Sequence, residues 1–304
     1  MRVAFDSRPA SDPRGIGRYA RCLLAALRDT ADGNEVVEGN KPRGADVFHS
    51  PWIDGVRVRS ACPQVVTLHD LVPLKRRSEY LRTGVRFRLR YMAVERAARI
   101  IVPTETVAQD ALEHLDVDRD RLVVIPEAAA PAMHPRSSDE VATVRKRYAL
   151  PKDYLVWVGG LEHPDPRKRV AALAETPRDV PLVLVGPTKE WAHELPDVTL
   201  TGMVPDDDLA AIYTGARALV LASDDEGFGL PTVEALACGT PVVACDIPAL
   251  REVLDHRATF VASDDLPGLL ATASEAKRPA PDPPPWSWLD AARATWQVYT
   301  AALA

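Results

Sequence analysis

The sequence predicts an α/β protein made of two doubly wound domains. Short, continuous apolar runs recur along its 304 residues, as parallel strands buried on both faces require. Segments with helical apolar spacing separate these runs, giving a β-α-β-α rhythm in both halves. Charge divides as well: residues 1–150 carry 25 Lys and Arg against 20 Asp and Glu, while residues 151–304 carry 12 against 23. Such asymmetry suggests two bodies that face different partners.

In the first half, residues 3–5 form the expected opening strand, followed by a loop holding Gly15 and Gly17. Residues 18–28 place Leu23, Leu24 and Leu27 on one helix face. Further strands are expected at 46–49, 64–68, 99–102 and 122–125. Thr104 and Thr106 are the expected caps of a helix running to about Leu115. The stretch 28–45 is polar and compressed, so the first domain is expected to lack one strand-helix unit.

The second half repeats the pattern, with strands expected at 154–158, 181–185, 218–222 and 241–245. Helices are expected at 167–175, 206–215 and 230–238. The segment 135–151 reads as the linker, which places the first domain at 1–134 and the second at 135–285. Five prolines in 278–286 make a stiff extended tether. After it, Ser287 and Asp290 resemble a capping box. Leu289, Ala292, Trp296, Tyr299 and Leu303 then form one apolar stripe. This last helix, residues 286–304, is expected to return to the first domain.

Composition narrows the function. A hydrophobic content of 46% with 26% charged residues is that of a folded globular protein. No apolar run approaches the roughly 18 residues needed to span a bilayer, and the first acid comes too early for a secretory leader. The pI of 5.7 does not suit a nucleic-acid protein. Cys22, Cys62, Cys238 and Cys245 lack paired or zinc spacing, so reduced thiols in a cytoplasmic protein are expected.

The most informative stretch runs from Asp224 through Glu226, Gly227, Phe228, Gly229, Leu230, Pro231 and Thr232 to Glu234. A strand ends before it, and Pro231 stands near a helix start. Exposed backbone N–H groups there, aided by the helix dipole, suit a phosphate. Glu226 and Glu234 are expected to point into one cleft and accept hydrogen bonds from hydroxyls. An ordinary loop-to-helix junction with N-terminal acids is the plain alternative.

The Glu226-x7-Glu234 block, in E-G-F-G-L-P-T-V-E-A-L-A-C-G-T-P-V-V, resembles the signature of the retaining group 1 (family 4) glycosyltransferases. Arg14-Gly15-Ile16-Gly17-Arg18-Tyr19 is similar to that family's N-terminal glycine loop. Val65 to Pro73, with Thr67, His69 and Asp70, is similar to its T-x-H-D block. Gly159-Gly160-Leu161 with Arg167-Lys168 resembles its strand-loop-lysine element, although Gly160 stands where the family often has Arg.

The resemblance implies the GT-B fold: two Rossmann-like doubly wound domains facing across a cleft, with a C-terminal crossover helix. It implies transfer of a sugar, with retained configuration, from a nucleotide-diphosphate sugar to a glycan, glycolipid or small-molecule acceptor. His69, Lys168 and Glu226 would be the catalytic group. Glu226 would hold donor-sugar hydroxyls, with Gly227 and Phe228 nearby, and Lys168, helped by Arg167, would neutralise the diphosphate. Gly229, Leu230, Pro231 and Thr232 would meet the phosphates, and Glu234 would take the ribose diol. Gly202, Met203 and Val204 would flank the base, and Gly15 and Gly17 would admit close backbone approach. His69 would lean on the sugar near the reacting carbon.

No metal or cofactor is expected, because Lys168 and a helix N-terminus can stabilise the leaving phosphate. Asp206-Asp207-Asp208 reads as N-terminal helix charge rather than a metal cluster. The other six histidines have no paired spacing and are expected to be structural. Two rivals remain at this stage: a non-catalytic nucleotide-sugar-binding subunit, and a GT-B-fold sugar-nucleotide epimerase. The basic segment between Lys75 and Arg99 carries nine Lys and Arg against two Glu. There Arg82, Arg86 and Arg90 share one helical face, and Val85, Leu89 and Met92 an adjacent one. Peripheral contact with an anionic membrane, a solvated face and an anionic acceptor all fit this pattern.

Overall fold

The computed structural model describes residues 1–76 and 85–304, in two compact units. The first unit comprises Met1–Glu127 and Trp286–Ala304, the second Ala128–Pro285.

The first unit holds strands β1 (Arg2–Phe5), β2 (Glu35–Glu38), β3 (Val47–Ser50), β4 (Gln64–Thr67), β5 (Arg99–Val102) and β6 (Leu122–Val124). They form one sheet in the order β2-β1-β3-β4-β5-β6, with parallel neighbours throughout. Helices α1 (Gly15–Asp29), α2 (Val72–Lys75), α3 (Val85–Glu95) and α4 (Glu105–His114) accompany it. All four residues of β3 and of β4 are buried, so the polar His49, Ser50, Gln64 and Thr67 lie inside beside Val47, Phe48, Val65 and Val66. Thr104 caps α4, its hydroxyl accepting from Val107 N at 3.2 Å.

Two expectations for this unit are corrected. The polar stretch 28–45 does contain a strand: β2 pairs in parallel with β1, Val36 opposite Val3 and Val37 opposite Ala4. As an edge strand it needs a partner on one side only, so two valines between glutamates suffice. Gly15 and Gly17, expected in a loop, lie in the first turn of α1.

The second unit holds β7 (Leu155–Val158), β8 (Leu182–Val185), β9 (Val198–Gly202), β10 (Ala218–Leu221), β11 (Val242–Cys245) and β12 (Thr259–Val261). Their order is β12-β11-β10-β7-β8-β9, again all parallel. The helices are α5 (Ser138–Arg147), α6 (Val170–Glu175), α7 (Glu190–His193), α8 (Asp206–Gly215), α9 (Leu230–Ala237), α10 (Pro248–Leu254) and α11 (Leu266–Ser274). The expected linker is itself helical. A capping box between Ser137 and Glu140 starts α5, and Arg147 and Tyr148 bind Asp208 of α8. Asp207 likewise pairs with Arg136 at 2.7 Å. The acidic run thus starts a helix and ties it to its neighbour.

After the prolines the chain returns to the first unit as α12 (Trp288–Leu303), capped by Ser287. Its buried face comprises Trp288, Ala291, Ala292, Thr295, Trp296, Val298, Tyr299 and Ala302. The expected stripe is therefore slightly rotated, with Leu289 and Leu303 left exposed. Small residues let α12 lie close against α1, while Trp296 Nε1 donates to Thr30 Oγ1 at 3.2 Å. The Tyr299 hydroxyl lies 2.6 Å from His49 Nδ1. His49 Nε2 meets Thr67 Oγ1 at 2.9 Å, and Thr67 in turn meets the Tyr19 hydroxyl at 2.9 Å. This buried chain joins α12, β3, β4 and α1, and it makes His49 a core histidine.

Candidate functional site

In the second unit the chain winds outward from β7 through β8 to β9, then restarts on the other side of β7 with β10. The carboxyl ends of β7 and β10 therefore bound the topological switch point, where open α/β sheets bind ligands. Two loops leave this point. One carries Gly159 to Arg169, the other Ser223 to Gly229. They are stitched together, for Asp224 N donates to Arg167 O at 3.0 Å.

Arg167 and Lys168 lie on a short 3-10 turn, Pro166–Lys168, started by Asp165. Arg167 bonds Asp165 at 3.1 Å and reaches Glu226 Oε2 at 3.5 Å. Lys168 Nζ stands 5.8 Å from the Trp157 ring centroid, a cation–π contact that holds the ammonium over the end of β7. The fold thus brings Arg167, Lys168 and Glu226 together. Ser223 Oγ and Trp157 Nε1 at the same edge are buried without hydrogen-bond partners.

Sequence reasoning passed over Arg169. It adopts the left-handed conformation at φ 50°, and its guanidinium bonds Ala222 O, Ser263 O and Cys245 Sγ. It thereby fastens the Lys168 turn to the strand end that leads into Glu226. A basic residue beside Arg167-Lys168 was visible in the sequence, but its partners were not.

Gly229 caps α9 at φ 84°, a conformation that favours glycine. Gly227, Phe228 and Leu230 are buried beside it. Pro231 has no N–H, and Thr232 gives both its N–H and its hydroxyl to Gly229 O. These two residues therefore bring no donor to a phosphate in this conformation. The glutamates also differ from expectation. Glu226 keeps 15% of its side chain exposed, whereas Glu234 is 2% exposed and accepts from the Tyr213 hydroxyl at 3.2 Å. It faces inward because α9 packs on α8. Gly202 ends β9 at φ 67°, Met203 is 47% exposed and Val204 is buried.

In the first unit, His69 follows β4. Its Nδ1 lies 3.0 Å from Glu127 Oε1 and its Nε2 lies 2.9 Å from Pro51 O. The Tyr19 ring meets it edge-on at 4.6 Å. Burial would lower the histidine pKa, but the Glu127 carboxylate outweighs it and the value is raised. Glu127, after β6, is a second residue that sequence reasoning passed over. Gly17 has a reason within its own unit: a Cβ there would fall 1.8 Å from Asp12 O. Among the described residues no three His, Cys, Asp or Glu side chains converge as a metal-binding set.

Residues 152–276 match the family model described as Glycosyl transferases group 1, and residues 27–129 match Glycosyltransferase Family 4. The serotype-specific mannosyltransferase WbdA of Escherichia coli is 31% identical over 216 residues, covering 62% of this chain and 26% of WbdA. The chain thus spans about a quarter of the length of the first curated relatives it matches. The D-inositol 3-phosphate glycosyltransferase of Streptomyces scabiei (strain 87.22) is 28% identical over 319 residues, 87% of this chain and 70% of that protein. Among solved structures, Anabaena HepE in complex with UDP and glucose has a TM-score of 0.69 at 16% identity. That likeness covers 99% of this chain and 97% of HepE, and it shows the shared fold. With a family model matched in each unit and the GT-B architecture in common, the chain belongs to the group 1 glycosyltransferases.

Proposed function

We propose that this chain is a cytoplasmic, retaining, metal-independent glycosyltransferase that moves a sugar from a nucleotide-diphosphate sugar to a glycan, glycolipid or small-molecule hydroxyl. The observation that carries the reading is the convergence of Arg167, Lys168 and Glu226 at the switch point of the second unit. When the bond between the anomeric carbon and the diphosphate breaks, negative charge grows on the departing oxygen. Lys168, with Arg167 beside it, is placed to stabilise that charge without reorganising. Glu226 accepts from donor-sugar hydroxyls, and Glu234 takes the ribose diol only by giving up the Tyr213 hydroxyl that it accepts from in this conformation. The acceptor oxygen forms the new bond to the anomeric carbon, and its proton leaves on the diphosphate. The unpartnered Ser223 hydroxyl supports a polar ligand at this edge.

The names of the relatives suggest the first donors to try. They include mannosyltransferases, and HepE was solved with UDP and glucose. Thermal unfolding against UDP-, GDP-, dTDP- and ADP-sugars, with Lys168→Ala as control, tests the reading. A ligand at 100 times its Kd adds about 2.7 kcal/mol, so one nucleotide should raise Tm by several degrees, and less so in the variant. Binding without transfer to any acceptor would favour a non-catalytic subunit. A changed sugar from donor alone would favour an epimerase.

The basic segment supports a peripheral contact with anionic lipid. Leu89 and Met92 on α3 are each 42% exposed, and Arg88 is exposed beside them. Arg90 is instead engaged with Asp54 at 2.5 Å. Arg82 lies outside the described residues, as do the side chains of Val85 and Arg86. Among the described residues no helix is long and apolar enough to cross a membrane.

A further inference from the structure

We propose that Glu127 is a positioning residue that holds the His69 ring as an imidazolium, so that His69 acts through fixed charge rather than by proton transfer. The argument rests on what each ring nitrogen faces. Pro51 O can only accept, so the Nε2 atom 2.9 Å from it carries a hydrogen. The Nδ1 atom faces a carboxylate oxygen at 3.0 Å. One proton lies between Nδ1 and Glu127, and the two arrangements differ only in its place: on the ring as an ion pair, or on the carboxyl as a neutral pair.

Burial opposes charge on the ring, and the neighbouring carboxylate outweighs it. Glu127 has 4% of its side chain exposed and His69 has 16%, so water screens the attraction between them weakly. Asp70, the next residue, adds a second negative charge that favours the imidazolium. The Tyr19 ring stands edge-on at 85° and is uncharged. His49, the other titratable group near, stays neutral because burial pushes its pKa down to about 3. With both N–H groups donated, the ring has no lone pair left, and His69 cannot serve as a general base. What remains open to a ligand is a positively charged ring edge at the carboxyl end of β4, suited to a phosphate oxygen.

The test is the nitrogen spectrum of the full chain labelled with 15N-histidine, with the His69 signals assigned by their loss in His69→Gln. Followed upward from below the ordinary histidine value of about 6.5, both ring nitrogens should keep protonated-type shifts in the wild type to higher pH than an ordinary histidine does. Glu127→Gln should bring the loss of the ring proton to lower pH, and Glu127→Asp should move it back up. A wild-type ring that turns neutral, with hydrogen on Nε2 alone, no later than an ordinary histidine would overturn the proposal. So would a titration unchanged by Glu127→Gln. The activity arm rests on the glycosyltransferase reading: the alkaline limb of turnover should move to lower pH in Glu127→Gln and back in Glu127→Asp. An imidazolium in a chain that transfers no sugar would refute that reading and leave the charge assignment standing.

Discussion

Arg169 gives both Nε and Nη2 to the carbonyl oxygen of Ala222, at 2.8 and 2.6 Å. That one contact joins the residue after Lys168 to the strand end that leads into Glu226. A left-handed arginine costs about 1–2 kcal/mol in backbone strain, so the surrounding bonds must hold it there. Arg169→Gly removes the strain and the clamp together. Leaving buried carbonyls unpaired costs about 1–3 kcal/mol each, so a net loss of stability in urea is expected. Turnover per folded molecule should fall as well, because Lys168 and Glu226 lose their common anchor. Unchanged stability and turnover would remove Arg169 from the site's support.

Lys168→Ala should lower turnover by about 100- to 1000-fold, the usual cost of losing one preorganised charge at a leaving oxygen. Glu226→Ala should likewise act mainly on turnover, whereas Glu234→Ala should weaken nucleotide binding, measured by calorimetry. Equal, negligible effects of the two glutamate changes would separate this pair from the donor.

Gly17→Ala tests a purely internal role. The added methyl would meet Asp12 O at 1.8 Å and Pro9 O at 2.6 Å, both backbone atoms that cannot turn aside. A destabilisation of at least about 1–3 kcal/mol is expected from this overpacking. A Tm equal to the wild type would mean that the turn yields freely.

Two histidines should give the first unit opposite pH limbs. His49 has a pKa lowered to about 3, first by burial and then by the His69 charge. The unfolded chain takes up this proton below about 6.5 while the fold resists it, so stability falls as the pH drops from there toward 3. His69 has a raised pKa, the pull of Glu127 exceeding the burial that opposes it. Its contribution is fully present below about 6.5 and is lost as pH rises through the folded value. Unfolding followed by tryptophan fluorescence should show greatest stability near pH 6.5. His49→Gln should flatten the acid limb, and Glu127→Gln the alkaline one.

For the basic segment, Leu89→Glu combined with Met92→Glu should reduce sedimentation with anionic vesicles, with little change in Tm because both side chains are exposed. Adding two acids also offsets attraction worth about 1 kcal/mol per basic residue near such a surface. Undiminished vesicle binding would return α3 to an ordinary solvated face.

Much of the fold was legible because burial on both faces writes itself into consecutive residues: β7, β8, β10 and β11 all read as apolar runs. β2 was not, since an edge strand needs little apolar content. The face of α12 was read one notch off, because Trp288 and the small residues Ala291 and Ala302 are buried by what packs on them rather than by their hydrophobic period. Glu226, Lys168 and His69 could be named from local motifs. Their partners could not: Arg169 meets a carbonyl 53 positions away, and His69 a carboxylate 58 away. By itself the sequence determined most of the strands buried on both faces, the charge split and the acids and bases available for chemistry, for those follow from neighbours along the chain, whereas β2, β9, β12 and the helix within the expected linker appeared only in the fold. Only the tertiary structure decided that Glu234 faces inward, that Gly17 makes room for its own backbone and that Glu127 faces His69. Those outcomes depend on which distant groups share a low-dielectric interior, and packing alone sets that.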